Sequence, residues 1–270
     1  MIYELNKNEY INAMPLSKYY NIEISAIISG FCSGKIYADS KTNPQTAMIW
    51  TKDGSFFIGN PNNRKFNECI NKYIDKVIVP MSKCLGIEWL EICSVCTEWD
   101  KKIIELFGYR NLYKSNQFVF RMRNINENIL DLRELPEDIK IFSASKDFFE
   151  KIYINKDYFT DGILDFWGSI DEFCNKGFGY FLTIGDVILS RCTLDYKFNS
   201  TCTLGVSTDE NHRRCGYAKR VVSEVLKHCK EKGFDPYWDC MECNKGSIAL
   251  AKSVGFEKDY VYSIYEFKYK

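Results

Sequence analysis

Six consecutive residues, Arg213-Arg214-Cys215-Gly216-Tyr217-Ala218, have the types and spacing of an anion-binding turn. They follow the apolar run Thr203-Leu204-Gly205-Val206-Ser207-Thr208. They open a stretch in which Val221, Val222, Val225, Leu226 and Cys229 recur at helix spacing. The first amides of a helix have no partner inside it, and the macrodipole places about half a positive charge there. An anion is therefore favoured by roughly 0.3–1 kcal/mol before any direct hydrogen bond forms. Gly216 and Ala218 are small enough for a diphosphate to approach the backbone, and Arg213 and Arg214 can add charge-assisted contacts. The plainer reading is a solvated turn bent by Gly216, and a spacing of Arg-x-x-Gly-x-Ala does not by itself name a ligand.

The remaining chemistry-bearing residues are sparser. Asp239 and Glu242 stand near the end of the strand-like run Tyr237 to Cys243, where residues three apart point to opposite faces, so at most one of them serves a given cleft. Asp239 is the preferred carboxylate for taking a proton, and Glu210, beside the basic turn, is a loop carboxylate. His212 and His228 are the two histidines, and neither lies where linear order would pair it with a cysteine nucleophile. Cys93-x-x-Cys96 and Cys240-x-x-Cys243 fall in apolar, strand-like runs without the glycine of a zinc knuckle, so they read as packing thiols and no metal is expected.

The elements that position these residues can be read from periodicity. Gln45 to Gly59 forms a hairpin around Asp53-Gly54, Asn62 to Val77 a helix, Ile87 to Val95 a strand, Thr97 to Phe107 a helix stopped by Gly108, and Gln117 to Met122 a strand. The second half reads as a strand at Ile139 to Ser143, a helix at Ile163 to Cys174, and a hairpin around Gly185-Asp186. A strand at Thr201 to Thr208, a helix at Gly216 to Lys232, the strand at Tyr237 to Cys243, a helix at Lys245 to Val254 and a strand at Tyr260 to Tyr269 complete it. Strands interleaved with helices give an α/β class with a mixed sheet. A shift of 147 residues aligns Cys93 with Cys240, Cys96 with Cys243, Gly108 with Gly255, Tyr113 with Tyr260 and Phe120 with Phe267, which points to an internal duplication. The counterpart of the basic turn in the first copy, Phe66-Asn67-Glu68-Cys69-Ile70-Asn71, has no glycine and carries an acid, so it cannot form the same loop.

Composition sets the outer bounds. Lys plus Arg equals Asp plus Glu at 36 each, which supplies no global field for nucleic acid or an anionic membrane and makes any anion site local. No apolar run has the length of a signal peptide or a membrane span, so a cytoplasmic protein with reduced thiols is expected despite 12 cysteines.

The basic turn after its strand, followed by Asn244-Lys245-Gly246-Ser247-Ile248-Ala249-Leu250-Ala251-Lys252-Ser253-Val254-Gly255-Phe256, resembles the GNAT superfamily of acyl-coenzyme A N-acyltransferases. Cys202 to Thr208, Tyr237-Trp238-Asp239-Cys240 and Leu250-Ala251-Lys252 are similar to the GNAT acetyltransferase subgroup with an extra amino-terminal domain. The resemblance implies a GNAT domain over 136–270 and a smaller, degenerate GNAT-like domain over 1–135. It further implies acetyl transfer from acetyl-coenzyme A to a primary amine of a small-molecule acceptor by direct attack. Val206 and Thr208 would offer backbone groups to the pantetheine arm, Arg213, Arg214, Cys215, Gly216, Tyr217 and Ala218 would wrap the pyrophosphate, and Asn244 and Ser247 would touch the coenzyme. Many members have a tyrosine acid where this chain has Ala251, and that departure motivates the alternative of a coenzyme-binding sensor without catalysis.

Overall fold

The Thr51 hydroxyl accepts the Gly54 amide at 2.9 Å and donates to the Gly54 carbonyl at 2.9 Å, closing the first hairpin by the local hydrogen bonding that favours Thr in turns. The computed structural model describes residues 1–17, 21–126, 130–131 and 134–269. Its contacts divide the chain into two units, Met1–Gln117 with Val261–Lys270, and Phe118–Tyr260.

The first unit contains β1 (Tyr3–Glu4), α1 (Ile22–Ile28), β2 (Lys35–Ala38), β3 (Thr46–Trp50), β4 (Ser55–Gly59), α2 (Arg64–Tyr73), α3 (Val79–Cys84), β5 (Trp89–Cys93), α4 (Thr97–Phe107) and the start of β6 (Tyr113–Arg121). The helix expected to stop at Val77 instead runs on through a π turn at Ile74–Ile78 into α3. Pro80 lacks the amide that an unbroken α ladder would need there, and the wider turn absorbs the loss. Phe57 stacks on Trp99 with ring centres 5.3 Å apart, and Phe107 on Phe267 at 5.6 Å, so the last strand of the chain supplies part of this core.

The second unit contains β7 (Ile139–Ser143), α5 (Lys146–Glu150), α6 (Lys156–Leu164), α7 (Ile170–Lys176), β8 (Gly179–Ile184), β9 (Val187–Phe198), β10 (Thr201–Thr208), α8 (Tyr217–Lys232), β11 (Asp235–Met241), α9 (Lys245–Ser253) and the start of β12 (Glu257–Lys268). The single helix expected over Ile163 to Cys174 is two helices. Ser169 starts α7 afresh by accepting the Glu172 amide at 3.0 Å, and buried Trp167 in the break donates to the Leu194 carbonyl at 3.0 Å.

Strand pairing is mixed. β4–β5 and β10–β11 are parallel, whereas β2–β3, β3–β4, β7–β8, β8–β9, β9–β10 and β5–β12 are antiparallel. In the second unit α8 covers one face of the sheet with Val221, Val222, Val225, Leu226 and Cys229 fully buried, the four aliphatic side chains worth roughly 1.5–3 kcal/mol each. The Cys202 and Cys229 sulfurs lie 3.9 Å apart at that contact. The other face meets α5 to α7, where Phe148 stacks on Phe181 at 4.3 Å. Every described cysteine is a free thiol.

Candidate acyl-coenzyme A site

The parallel ladder between β10 and β11 pairs only Thr201 with Asp235, Cys202 with Pro236 and Thr203 with Tyr237. β10 continues to Thr208 and β11 to Met241, so the two strands part beyond Thr203. A bulge stands at the same level on the other side of β10. Between the pairs Lys197↔Cys202 and Leu194↔Leu204 the register slips, so Asp195 and Tyr196 oppose Thr203 alone. The Tyr196 amide donates to the Thr203 hydroxyl at 2.8 Å, and this bulge sharpens the local twist.

The divergence frees main-chain groups of known direction. The Ser207 carbonyl accepts from Ser190 on β9 at 3.0 Å, and the Asp209 amide donates back to Leu189 at 2.9 Å. Successive residues of a strand point their amides and carbonyls to opposite edges, so those of Val206 and Thr208 face the edge that β11 has left. These are the two residues that the resemblance assigns to a pantetheine arm.

At the end of β10, Asp209 caps a short turn by accepting the Asn211 amide at 3.0 Å and pairs with His212 Nδ1 at 2.8 Å. The hydrogen bond to His212 holds the Asp209 carboxyl below its ordinary value. Arg213 is extended, and Arg214, although not a glycine, has φ +65°. Gly216 has φ +84° and stands at the start of α8, where an added Cβ would meet nothing within 4 Å. Backbone conformation rather than crowding selects glycine here. A left-handed residue other than glycine costs about 1–2 kcal/mol, and such strain is typical of a ligand clamp.

Among the described residues no side chain caps α8, and its first turn has no acid. Tyr217 and Ala218 are half-buried, Arg213, Arg214 and Cys215 exposed. The Arg213 guanidinium rests on Glu210 at 3.3 Å, an exposed pair that an incoming anion can displace at little cost. The first unit supplies the contrast. At the start of α2 the Asn63 side chain accepts the Phe66 amide at 3.2 Å while donating to Asp39 at 2.7 Å, so that helix satisfies its own amide. The donor set at α8 fits a diphosphate, and the one at α2 does not.

The other assigned residues surround β11. Asn244 is exposed and caps α9 by accepting the Ser247 amide at 3.0 Å, while the Ser247 hydroxyl accepts from Trp238 Nε1 at 2.9 Å. Ala251 is fully buried in α9. Asp239 is half-buried and shares a strand face with Tyr237, whose hydroxyl lies 3.3 Å from that of Tyr260 and whose ring carries the Arg121 guanidinium at 4.7 Å. Burial pushes the Tyr260 hydroxyl up, Tyr237 and Arg121 pull it down, and Asp239 adds to the rise. β11 ends at Met241, so Glu242 lies in the following turn and strand alternation governs Asp239 alone. His228 is half-buried and stacks on Phe178 with ring centres 4.5 Å apart.

The mixed sheet, its parted parallel pair and the basic glycine turn before α8 define an α/β protein of a kind that sequence comparison identifies. The chain belongs to the GNAT acetyltransferase family, whose sequence model matches residues 13–265. It is 27% identical over 274 residues to the uncharacterized N-acetyltransferase YdfB of Bacillus subtilis (strain 168), covering 98% of each chain. In fold it is similar to a GCN5-related N-acetyltransferase-like protein from Streptococcus suis 89/1591, with TM-score 0.73, 19% identity and coverage of 97% of this chain and 99% of that one. A tandem GNAT protein from the clavulanic acid biosynthesis pathway gives TM-score 0.61 at 7% identity, covering 99% and 98%.

Proposed function

We propose that the protein transfers an acetyl group from acetyl-coenzyme A to a primary amine of a small molecule by direct attack. The parting of β10 and β11 beyond Thr203 carries the reading, because it leaves main-chain groups at Val206 and Thr208 available to a pantetheine arm and a thioester carbonyl. Arg213 to Ala218 hold the pyrophosphate, with Gly216 admitting it to the α8 amides, and Asn244 and Ser247 border the coenzyme from α9. Asp239 passes the amine proton to solvent. Ala251 provides no acid for the departing thiolate. A coenzyme A thiol leaves readily, so this omission costs no more than the usual proton-transfer contribution of roughly 10²–10⁴-fold. The reading sets the reaction in the cytosol, without metal, nucleic acid or membrane.

Buried Ala251 also favours a second reading, a coenzyme-binding sensor without turnover. The two separate in one experiment. Acetyl-coenzyme A at 100 times its Kd should stabilise either by about 2.7 kcal/mol, whereas only the enzyme releases free thiol with a panel of primary amines. Gly216→Glu should abolish the stabilisation while the protein still unfolds cooperatively, since it puts bulk and negative charge where the diphosphate sits. Unchanged coenzyme affinity in that variant places the site elsewhere.

A further inference from the structure

The β9 strand carries Arg191, Thr193 and Asp195 on its α6-facing side, all buried. Two glycines make room for this charge. A Cβ on Gly205 of β10 would land on the Asp195 carboxylate, and a Cβ on Gly162 of α6 would land on Nη2 of Arg191. The guanidinium donates to the Thr193 hydroxyl through Nη1, while its Nε is buried with no hydrogen-bond partner among the described residues. Ser207, directly opposite Arg191 in the register, also has a buried hydroxyl without a partner. Burial pulls the Arg191 guanidinium down from its ordinary value, and Asp195 is the leading charge that opposes the shift, followed by Cys192, Asp165 and Tyr158.

Stability alone is a poor reason for such a group. Well-packed apolar residues of similar volume generally serve a core as well as buried charged groups or better, and here one helix position and one strand position have given up their side chains to admit them. Its location is specific. The β9 bulge beside the point where β10 and β11 part contains Asp195, and the carboxylate lies over Gly205, next to Val206, whose main-chain groups face the open edge. A thioester carbonyl held by those groups would have Asp195 on its α6-side face, opposite the side covered by α8.

We propose that Asp195 anchors the amino group of the acceptor beside the thioester. The inference rests on the acetyl-coenzyme A reading and names the acceptor class as a primary amine that arrives as its ammonium. Asp195 draws the cation to the Gly205 face by charge and by hydrogen bonds from N–H, and it orients the nitrogen once the proton has left. No bond of the acyl transfer changes.

The test uses the full chain, acetyl-coenzyme A, and spermidine, ethanolamine, free amino acids and aminoglycosides as amine probes, with thiol release as readout. Asp195→Asn should raise the KM for the amine on the order of tenfold or more while the KM for acetyl-coenzyme A and the stabilisation by it stay within about twofold. Because this change strands a buried guanidinium, the paired variant Arg191→Met with Asp195→Leu removes both charges. It should fold and bind acetyl-coenzyme A, yet show the same loss of amine affinity. Wild-type amine KM in either variant overturns the proposal, as does a wild-type protein that binds acetyl-coenzyme A but turns over none of the amines. Failure of acetyl-coenzyme A to stabilise the wild-type protein overturns instead the coenzyme reading beneath it.

Discussion

Two glycines at the candidate site are glycine for different physical reasons. Gly216 has positive φ and open space around it, so Gly216→Ala should cost about 1 kcal/mol of backbone strain and nothing from crowding. Gly205 has no positive φ, but the Asp195 carboxylate occupies the place of its side chain, so Gly205→Ala should cost about 1–3 kcal/mol by overpacking. The two costs separate in a mutant cycle followed by urea unfolding. The Gly205→Ala penalty should shrink in an Asp195→Ala background, whereas the Gly216→Ala penalty should be unaltered there. Equal penalties for Gly205→Ala in both backgrounds would mean that the strand, not the carboxylate, rejects the methyl group. The sequence showed Gly216 plainly because a glycine after two arginines at a helix start has a known use. Gly205 and Asp195 were opaque. Their partnership depends on a register slip between Lys197↔Cys202 and Leu194↔Leu204, and no residue type in the run Val187–Phe198 announces that slip.

Elements with strong periodicity were legible to within a few residues: both early hairpin strands, α4, α8, α9 and β10 occur where the spacing of apolar residues puts them. Misreadings fell where a local hydrogen bond overrode the pattern. Ser169 restarts a helix inside Ile163 to Cys174, and the π turn before Pro80 carries a helix past its expected end. The offset of 147 residues carries β5 into β11 and β6 into β12, and α4 overlaps α9, so the repeated order of strand, helix and strand is present in the fold. The two helices that follow β4 and β10 differ in their first turn. Asn63 caps α2, and Asn63→Ala should cost about 1 kcal/mol in urea unfolding by exposing the Phe66 amide without its acceptor. That variant should leave the stabilisation by acetyl-coenzyme A unchanged. A fall in coenzyme affinity would assign the α2 end a part in binding that its internal cap argues against.

At the scale of the whole chain, the last ten residues belong by contact with the first unit although they follow the second in sequence. Linear reading has no access to this, since pairing Ile264 with Cys93 and Phe267 with Leu90 joins residues more than half the chain apart. The physical stake is large. Ile264, Tyr265, Phe267 and Tyr269 are buried, Tyr265 donates to Asp100 at 2.9 Å, and Tyr269 donates to Ser82 at 3.1 Å. Loss of one buried large aromatic typically costs about 3–5 kcal/mol, and a domain holds only about 5–15 kcal/mol in total. A chain ending at Tyr260 should therefore lose the first unit's fold, with fast amide exchange across β3, β4 and β5. It retains every residue from Thr201 to Ser253, so acetyl-coenzyme A should still slow exchange at the start of α8. Protected β3 to β5 amides in the shortened chain would show that the first unit closes its core without its final strand.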